Sequence, residues 1–434
     1  MDLLTANDRP GTHAPSYYSA TANAMPDRPA LAERLEVDVC VIGGGFTGLS
    51  AALELALGGA SVVLLDAQRI GWGASGRNGG QIATGPRVSV LELERSYGRD
   101  MTRALWDLAE DAKALIRRRV ADHGIACDLK AGSVHAETTA AGARAAAAEA
   151  DHIATQYDYA ELTPLNRAEL AVEIGSEAYA GGLLDTGAGH LHPLNYALGV
   201  AEAAEGAGAK IYEQSRVTGI EGDGPYLVRT EAGEIRAEWV VIATNGYTGP
   251  LDEGVSSRVM PINNFIAATE PLGEDRARAL IPRDGCVADS RFVVGYWRFS
   301  ADHRLLFGGG ETYRYRFPTD IAEFVRPRMA AVYPSLADVK IDYAWGGTLG
   351  ITASRMPYLS RSGQRIAAAG YSGQGVAMTG IAGRVVSEEI LGERARFATL
   401  AALRHQRFPG GGRLRHPLLV LAMTWYALRD RLGI

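Results

Sequence analysis

The sequence predicts an α/β protein in which a Rossmann-like domain of parallel strands is interleaved with an α+β domain built on a mostly antiparallel sheet. Three observations support this fold class. The chain has 434 residues, more than one growing hydrophobic core usually contains. A strand–glycine–helix–strand pattern runs from Asp38 to Asp66. Strand-like runs recur in the middle and near the end of the chain, which indicates a discontinuous first domain with a second threaded through it.

Residues 1–36 are predicted to form a polar arm, and the strongest local pattern follows directly. An apolar strand, Val39–Ile42, leads into Gly43, Gly45 and Gly48, spaced as GxGxxG. The first glycine permits a tight turn, the second lets backbone amides approach a diphosphate, and the third allows close packing of helix on strand. The next helix directs its free N–H groups and its dipole at negative charge. The pattern therefore predicts a dinucleotide-binding unit.

The unit closes with a second strand, Ser61–Leu65, and with the carboxylate of Asp66. Asp66 lies 18 residues after Gly48 (66 − 48), the spacing at which an acid bonds the adenosine ribose hydroxyls. Such a carboxylate would repel the 2′-phosphate of NADP. The competing interpretation is a glycine-rich turn without a nucleotide, and the complete register of the unit disfavours it. This segment alone leaves NAD and FAD as alternatives.

The rest of the chain supplies elements for both domains. A helix is predicted from Arg99 to Val120, where apolar residues recur at steps of three and four, and another over the alanine-rich segment 140–150. The strand-like runs are Ala209–Ile220, Tyr226–Thr230, Trp239–Thr244, Phe292–Phe299 and Arg304–Gly308. A further helix is predicted from Asp320 to Tyr333. Nucleotide-type segments thus occur at the start, middle and end of the chain.

Composition and charge disfavour several classes of protein. Apolar residues make up 47% of the chain and charged residues 22%, as in ordinary folded proteins. The net charge of −6 argues against a nucleic-acid binder, since phosphate binding usually requires a basic surface. The three cysteines, Cys40, Cys127 and Cys286, show no CxxC spacing. We therefore expect neither a disulfide framework nor a metal site.

The two ends of the chain carry no recognisable targeting pattern. The N-terminus lacks a basic segment followed by an apolar run, so a secretory signal is not expected. A C-terminal tail helix is predicted over 406–434, and its apolar run Leu418–Leu428 is shorter than the roughly 20 residues that span a bilayer. Packing on the body is favoured for this helix, with a subunit contact and a membrane-surface position left open. We expect a cytoplasmic protein, with its oligomeric state open.

Three further glycine-rich segments are typical of backbone that approaches a ligand closely. Arg69–Gln81 holds five glycines in thirteen residues. Glu238–Thr248 is a buried strand that ends in Ala243-Thr244-Asn245-Gly246. Ile366–Ile390 begins as a strand and becomes a helix at about Gly375, whose N-terminus would stabilise an anionic ligand. An ordinary surface loop and a glycine-rich strand–helix turn are the competing interpretations.

Together these segments resemble the D-amino-acid oxidase and sarcosine oxidase superfamily of FAD-dependent amine oxidoreductases, and most closely its γ-glutamylputrescine oxidase branch. The resemblance covers nearly the whole chain. It is carried by Ser16–Tyr18 and Thr21–Asn23 in the arm, Val41–Ser50, Arg69–Gln81, Gly187–Leu198, Leu305–Gly309, Gly346–Leu359 and Gly370–Gly383. The ATAN arm and the GWGASGRNGGQ run are typical of the branch, whereas GxGxxG and ATNG are shared widely among flavoproteins.

The resemblance implies FAD as the cofactor and assigns its contacts. The N-terminal residues expected to contact FAD are Gly43, Gly45, Phe46, Thr47, Gly48, Asp66, Ala67, Arg69, Ala74, Ser75, Arg77, Asn78, Gly79, Gly80 and Gln81. Val217 is expected to hold the adenine through its backbone. The pyrophosphate side is expected to be lined by Ala243, Thr244 and Gly246. The residues expected beneath the isoalloxazine ring are Leu349, Gly350, Gly373, Gln374, Gly375 and Val376.

The chemistry implied by the resemblance is hydride transfer from an amine carbon to flavin N5, followed by hydrolysis of the imine to an aldehyde and an amine or ammonia. No dedicated protein base is required, and a less polar pocket would favour the neutral, reactive amine. The predicted FAD-binding domain comprises 37–90, 180–258 and 345–405. The predicted substrate domain comprises 91–179 and 259–344.

Three departures from the family pattern bear on substrate and acceptor. Amino-acid oxidases of the superfamily clamp the substrate α-carboxylate with an arginine in a GLRP-like segment, and alignment on Pro357 places Leu349 there. An amine remote from its carboxylate, as in γ-glutamylputrescine, is therefore favoured. Ala377 replaces a lysine of monomeric sarcosine oxidases, which leaves O2 and another electron acceptor as alternatives. No cysteine lies in the segments expected beneath the flavin, so FAD is expected to be bound non-covalently.

No side chain is assigned a firm catalytic role. Tyr296, Arg77 and Arg355 are the candidates for contacting the substrate or tuning the flavin, and Tyr296 belongs to the alternating run from Phe292 to Arg298. His190 and His192 are expected to be structural. A dehydrogenase that passes electrons to a quinone or carrier is the second enzymatic hypothesis. A tRNA-modifying flavoenzyme is disfavoured by the acidic charge, and a non-catalytic flavin-binding role by the intact ring and phosphate segments.

Overall fold

The computed structural model describes residues 2–312 and 315–410. The strands are β1 (Arg34–Ile42), β2 (Val62–Leu65), β3 (Gln81–Ile82), β4 (Lys130–Glu137), β5 (Leu162–Asn166), β6 (Gly181–His190), β7 (Lys210–Tyr212), β8 (Gly219–Glu221), β9 (Tyr226–Arg229), β10 (Glu234–Ile242), β11 (Met260–Thr269), β12 (Cys286–Asp289), β13 (Tyr296–Phe299), β14 (Leu305–Thr312), β15 (Ile341–Ile351), β16 (Tyr358–Ser362) and β17 (Arg365–Ala369). The helices are α1 (Tyr17–Ala20), α2 (Phe46–Leu57), α3 (Val90–Tyr97), α4 (Arg99–Asp122), α5 (Ala140–Tyr157), α6 (Arg167–Ile174), α7 (Pro193–Gly206), α8 (Glu253–Arg258), α9 (Glu274–Leu280), α10 (Ile321–Val332), α11 (Gly375–Leu391) and α12 (Ala395–Ala401).

The first sheet is the Rossmann-like part of the molecule. Its strand order is β16-β17-β10-β1-β2-β7, with β9 also paired to β10 and β8 paired to β9. The pairs β10–β1, β1–β2, β2–β7 and β10–β17 are parallel. Because parallel sheets are covered on both faces, their strands are apolar runs, and residues 39–42 and 62–65 are all buried. Helices α2 and α11 share one apolar core over this sheet.

The second sheet is mostly antiparallel, as the sequence predicts. Its order is β15-β11-β14-β13-β12-β4-β6-β3, with β5 paired to β6, and β12–β4 is its parallel pair. One face packs on α10 through Val325 and Met329. The other face contributes Ile266, Leu306 and Trp345 to the core shared with the first sheet. The two sheets therefore face each other across the region in which the predicted site residues lie.

Two strand predictions are wrong in extent. The run predicted as one strand from Ala209 to Ile220 is split into β7 and β8, because residues 213–218 turn back toward β2. In that turn the Ser215 amide donates to Asp66 O at 2.7 Å. The predicted strand Phe292–Phe299 begins only at Tyr296, because the Asp289 carboxylate accepts the Arg291 and Gly295 amides and closes a turn.

Strands of the two sheets alternate along the chain, so neither sheet comes from one continuous segment. The strand β6, placed by the sequence with the first domain, pairs with β4 and β5 of the second sheet. The exact domain boundaries stay a prediction. Most of the predicted tail helix 406–434, including Leu418–Leu428, lies outside the described residues. Within the described part of the chain, no helix has the length and apolar character needed to cross a membrane.

Candidate cofactor and substrate site

The glycines of the GxGxxG motif form a tight cradle at the end of β1. Gly43 has a φ of +113°, and a Cβ on it would lie 2.7 Å from Ala243 O. A Cβ on Gly48 would lie only 1.9 Å from Gly43 O, so the third glycine lets α2 pack directly on the turn. Gly45 is the N-cap of α2 and offers no side chain to cap it. Apart from the Phe46 amide, which donates to Ser75 Oγ, the first-turn amides have no intrahelical acceptor and can face an anion.

Asp66 stands at the end of β2, beside this cradle. Its Oδ2 accepts the Gly44 amide at 2.6 Å and its Oδ1 accepts the Gln68 amide at 2.7 Å. Burial raises the pKa of Asp66 to about 6, and these two hydrogen bonds only partly oppose that rise. Each carboxylate oxygen can accept more than one hydrogen bond. Asp66 therefore retains acceptor capacity for a ribose hydroxyl.

Other residues expected to contact FAD lie in the segments next to Asp66. Arg69 is held by Glu213, with 3.0 Å between Nε and Oε2. Val217 is buried in the loop between β7 and β8, and the Ser215 amide of the same loop donates to Asp66 O at 2.7 Å. Ala67 follows Asp66 directly. That Val217 binds adenine through its backbone stays a prediction.

The glycine-rich loop 69–81 is held in shape by its own side chains. Ser75 Oγ accepts the Phe46 amide at 2.9 Å, which joins the loop to the start of α2. Asn78 donates to the carbonyls of Ala74 and Ser75 and accepts the Gly80 amide. Asn78 therefore shapes the loop. At its end, Gln81 Nε2 donates to Val287 O at 2.8 Å and joins the loop to the second sheet.

Arg77 is buried at the centre of this loop. Its Nη1 donates to Asp8 Oδ2 at 2.8 Å, and its Nε donates to Trp72 O at 2.6 Å. The guanidinium lies over the Trp72 ring, 4.5 Å from the ring centre. Its Nη2 is buried and has no hydrogen-bond partner within the described part of the chain. One terminal nitrogen of a buried cation is therefore available to a ligand, since leaving it without a partner would be costly.

Three segments that are distant in sequence meet at the ends of β10, β15 and β17. Asn245 Oδ1 accepts the Gly370 amide at 2.9 Å, and a Cβ on Gly350 would lie 2.2 Å from the same oxygen. Gly350 O in turn accepts the Ser372 amide at 3.0 Å. A Cβ on Gly246 would be 3.4 Å from Leu349 O. The predicted residues 243–246, 349–350 and 373–376 are thus brought to one place.

The N-terminus of α11 points into this junction. Gln374 is the residue before the helix, and its side-chain NH2 donates to Gly85 O. Its Oε1 is buried and has no partner within residues 2–312 and 315–410. The first-turn amides of Gly375, Val376 and Ala377 have no intrahelical acceptor. On the neighbouring helix, Thr47 bonds Tyr371 through their hydroxyls at 2.7 Å.

The substrate side of the site is formed by β13 and its neighbours. Tyr296 is wedged between two glycines, because a Cβ on Gly79 or on Gly308 would lie within 2.8 Å of its ring. Its hydroxyl donates to Asn264 Oδ1 at 2.6 Å, and burial raises its pKa. Arg298, on the same face of β13, donates to Gly79 O and Leu191 O. Arg298 therefore positions the loop that holds Tyr296.

Three side chains considered from the sequence lie outside the junction at the N-terminus of α11. His192 is the N-cap of α7, with Nδ1 accepting the Asn195 amide at 3.1 Å. His190 bonds Asp284 O at 2.8 Å, and burial lowers the pKa of each histidine to about 3. Arg355 stands in a surface cleft, with its guanidinium 6.0 Å from the Phe292 ring centre.

Sequence reasoning missed two charged residues of the site. Asp8, the ion-pair partner of Arg77, lies 69 positions away in the chain. Arg87 donates from Nε to Ser372 O at 3.3 Å, next to the N-terminus of α11. Nothing local marks either residue, since both sit in polar segments without periodicity.

The residues present fit an FAD molecule. A side chain at any of the three motif glycines would fill the cradle. A diphosphate site requires that such side chains be absent, so that backbone amides can approach the phosphates. Two buried polar atoms, Arg77 Nη2 and Gln374 Oε1, lack partners within the described chain, and a flavin ring carries both acceptors and a donor. The cysteines are buried in β1, before β4 and in β12. Burial raises the pKa of Cys40 and Cys127 to about 12, which keeps these thiols protonated and unreactive.

Comparison with known protein families shows which family the chain belongs to. Residues 38–389 match the DAO family, described as FAD dependent oxidoreductase. The chain belongs to the DAO family. It is therefore an FAD-dependent oxidoreductase, and FAD is its non-covalently bound cofactor. The DAO-family match covers both sheets and begins at the strand that carries the GxGxxG motif.

Two named relatives are similar to this chain over nearly its whole length. The γ-glutamylputrescine oxidoreductase of Escherichia coli (strain K12) is 41% identical over 97% of this chain and 99% of its own length. The probable oxidoreductase OrdL of Rhizobium meliloti (strain 1021) is 41% identical over 96% of this chain and 97% of its own. Glycine oxidase from Geobacillus kaustophilus superposes with a TM-score of 0.70 at 23% identity, covering 82% of this chain and 95% of that chain. That likeness shows a shared fold.

Proposed function

We propose that this enzyme oxidises the C–N bond of an amine whose carboxylate is remote from the reacting carbon, a substrate of the γ-glutamylputrescine type. The imine is then hydrolysed to an aldehyde and an amine or ammonia. Bound FAD supplies the acceptor for the hydride that leaves the amine carbon. The observation that carries the proposal is the apolar environment of Leu349.

Leu349 occupies the position at which the resemblance places a carboxylate-clamping arginine in amino-acid oxidases. It stands opposite Ile262 in the β11–β15 pairing and packs against the apolar cluster of Met260, Ile262 and Ile351. A carboxylate placed among these side chains would lose its water without gaining a partner. An α-amino acid is therefore disfavoured there. The 41% identity to a γ-glutamylputrescine oxidoreductase supports the same substrate class.

The chain's own residues would bind, orient and desolvate the amine. Tyr296 and Asn264 form a hydrogen-bonded wall beside the two glycines, Gly79 and Gly308. Asn264 has its donor NH2 group in addition to the oxygen that Tyr296 occupies. A partly apolar pocket lowers the pKa of an amine by desolvation, which favours the neutral form that can lose hydride. No side chain is needed as a base in this scheme.

Anaerobic mixing of the purified holoenzyme with candidate substrates tests this proposal. The panel is γ-glutamylputrescine, putrescine, sarcosine, glycine and D-alanine, followed by the flavin absorbance band at about 450 nm. We expect rapid bleaching by γ-glutamylputrescine and slow or no bleaching by the three amino acids. Bleaching by glycine or D-alanine at a comparable rate would refute the argument from Leu349.

Readmitting air to the bleached enzyme tests the electron acceptor. Ala377, in the first turn of α11, replaces the lysine of monomeric sarcosine oxidases and supports a dehydrogenase that uses a quinone or carrier. In that case we expect slow return of the 450 nm band in air and fast return with a soluble quinone. Fast return in air would identify O2 as the acceptor.

A further inference from the structure

A cleft of about 390 Å³ opens beside the N-terminus of α11. Its walls come from three separate segments: the loop before α3, the turn before β13 and the turn after β15. The lining side chains that matter here are Arg87, Glu92, Phe292 and Arg355. Phe292 is 58% exposed and lies beneath the Arg355 guanidinium. The cleft therefore joins charged groups to one exposed aromatic ring.

The charged side chains of this cleft are not held in close ion pairs by the described residues. Within the described part of the chain, no ion-pair partner lies within 4.0 Å of Arg87, Arg355 or Glu92. The two arginines repel each other, and burial together with the Arg355 charge lowers the pKa of Arg87, although the Glu311 carboxylate partly opposes this shift. Arg291, at the rim, is instead paired with Asp289 and Tyr179. Two cations and one anion that form no close ion pair among the described residues thus share the cleft.

The cleft is joined to the candidate flavin-binding segment through the protein backbone. Arg87 Nε donates to Ser372 O at 3.3 Å, two residues before Gln374. Gln374 in turn donates to Gly85 O, two residues before Arg87. Arg355 has a φ of +61° and its amide donates to Thr352 O at 3.1 Å. This turn sets the backbone of Arg355 at the exit from β15, and its side chain lines the cleft.

We propose that this cleft binds the free amino-acid end of the substrate, with Arg87 and Arg355 on its α-carboxylate and Glu92 on its α-ammonium. The inference rests on the proposed function and adds the residues that select the substrate. In extended γ-glutamylputrescine the carboxylate lies on the order of 10 Å from the oxidised carbon, from bond lengths alone. A tail of that length extends well beyond the reacting carbon, and the cleft lies beside the segment 372–374 that precedes α11. Guanidinium groups match carboxylates in shape and charge.

Three substrates that differ only in the tail test the proposal. They are γ-glutamylputrescine, N-glutarylputrescine, which lacks the α-ammonium, and N-butyrylputrescine, which lacks both charges. The measured quantity is kcat/KM for each with the holoenzyme. For the unmodified enzyme we expect the order γ-glutamyl, glutaryl, butyryl, with about 10- to 100-fold between the first and the last.

Two variants separate the contributions of the opposite charges. Arg355→Asn removes the cation and retains a residue that tolerates the left-handed backbone; we expect it to reduce the γ-glutamyl to butyryl ratio at least about tenfold, mainly through KM. Glu92→Gln should leave the glutaryl to butyryl ratio intact and reduce only the γ-glutamyl to glutaryl ratio. Arg95→Ala, an exposed arginine on α3 outside the cleft, is the matched control and should change neither ratio.

The outcomes separate this inference from the function on which it rests. If the unmodified enzyme oxidises all three amines with equal kcat/KM, the cleft does not bind the tail, although the amine oxidation stands. A γ-glutamyl to butyryl ratio in Arg355→Asn within twofold of that of the unmodified enzyme would also overturn it, provided that the variant retains FAD. If none of the three amines bleaches the flavin, the proposed function itself fails, and the inference with it.

Discussion

At Gly48 the space for a side chain is already occupied by backbone. A Cβ there would lie 1.9 Å from Gly43 O and 3.2 Å from a methyl of Val41. Neither the carbonyl nor the strand can move without opening the turn at the end of β1. The same turn presents the amides that a diphosphate would bind, so packing and cofactor binding depend on one missing side chain.

We expect Gly48→Ala to destabilise the protein by about 1–3 kcal/mol, the usual range for overpacking, and to lower FAD retention. The ratio of absorbance at about 450 nm to that of the protein band after dialysis reports FAD, and urea unfolding reports stability. Gly206→Ala is the control, because a Cβ there meets nothing within 4 Å. It should be neutral or stabilise by up to about 1 kcal/mol. A Gly48→Ala protein that keeps FAD at full stability would contradict the packing argument.

At the scale of an element, α7 begins at a histidine that must stay neutral. His192 Nδ1 accepts the Asn195 amide at 3.1 Å, and its Nε2 lies 3.1 Å from Thr21 Oγ1 in the arm. Burial, and then the charge of Arg298, lower the pKa of His192 from the ordinary 6.5 to about 3. A protonated ring could no longer accept the amide at Nδ1. The helix start and the arm are therefore coupled to one protonation state.

Because the pKa of His192 is lowered in the folded protein, the free energy of unfolding falls in acid. Between pH 6.5 and about 3 the unfolded chain binds a proton at His192 that the folded chain does not. Stability is therefore lost as pH falls through this window, with a slope approaching about 1.4 kcal/mol per pH unit for this residue. His192→Asn keeps an N-cap acceptor. It should lower the slope of the unfolding free energy against pH in this window, by an amount equal to at most one proton taken up on unfolding. The exposed His123→Asn is the control, and equal slopes in all three proteins would refute the assignment.

At the scale of the whole molecule, the N-terminal arm joins the two ends of the site. Leu4 O accepts Gln68 Nε2 near Asp66, and Asp8 pairs with the buried Arg77. Asn7 bonds the backbone of Tyr315 and Phe317 beside the second sheet. The arm thus crosses from the first sheet to the second. Its removal would leave the Arg77 cation buried without its partner.

We expect Asp8→Ala to destabilise the protein by about 3 kcal/mol, because it leaves a buried charge unpaired. FAD retention should fall as well, since Arg77 loses the contact that fixes it. Asp2→Ala is the matched control in the same arm: the Asp2–Arg216 pair is 37% and 45% exposed, and its loss should cost about 0–1 kcal/mol. Denaturant midpoints and flavin absorbance measure both effects. Equal, small changes in the two variants would show that the Asp8–Arg77 pair contributes little.

The dinucleotide unit could be predicted from the sequence because its information is local. The strand, the glycines, the helix and Asp66 are contiguous, and each is constrained by backbone geometry that the residue type reveals. The mostly antiparallel second sheet was predictable from its strand-like runs. The limits of individual strands were not: the Asp289 turn and the 213–218 loop are set by contacts with other segments.

The sequence by itself therefore determined the fold class, the family and the cofactor, since these depend on short-range patterns and on a resemblance that spans the chain. Tertiary structure alone decided which charges are paired. Asp8 meets Arg77, whereas Arg87 and Arg355 share one cleft although 268 positions (355 − 87) separate them. Side-chain electrostatics act through space and not along the chain. Arg87, Glu92 and Arg355, which we propose to bind the substrate tail, lie together only because the fold brings distant segments to one cleft.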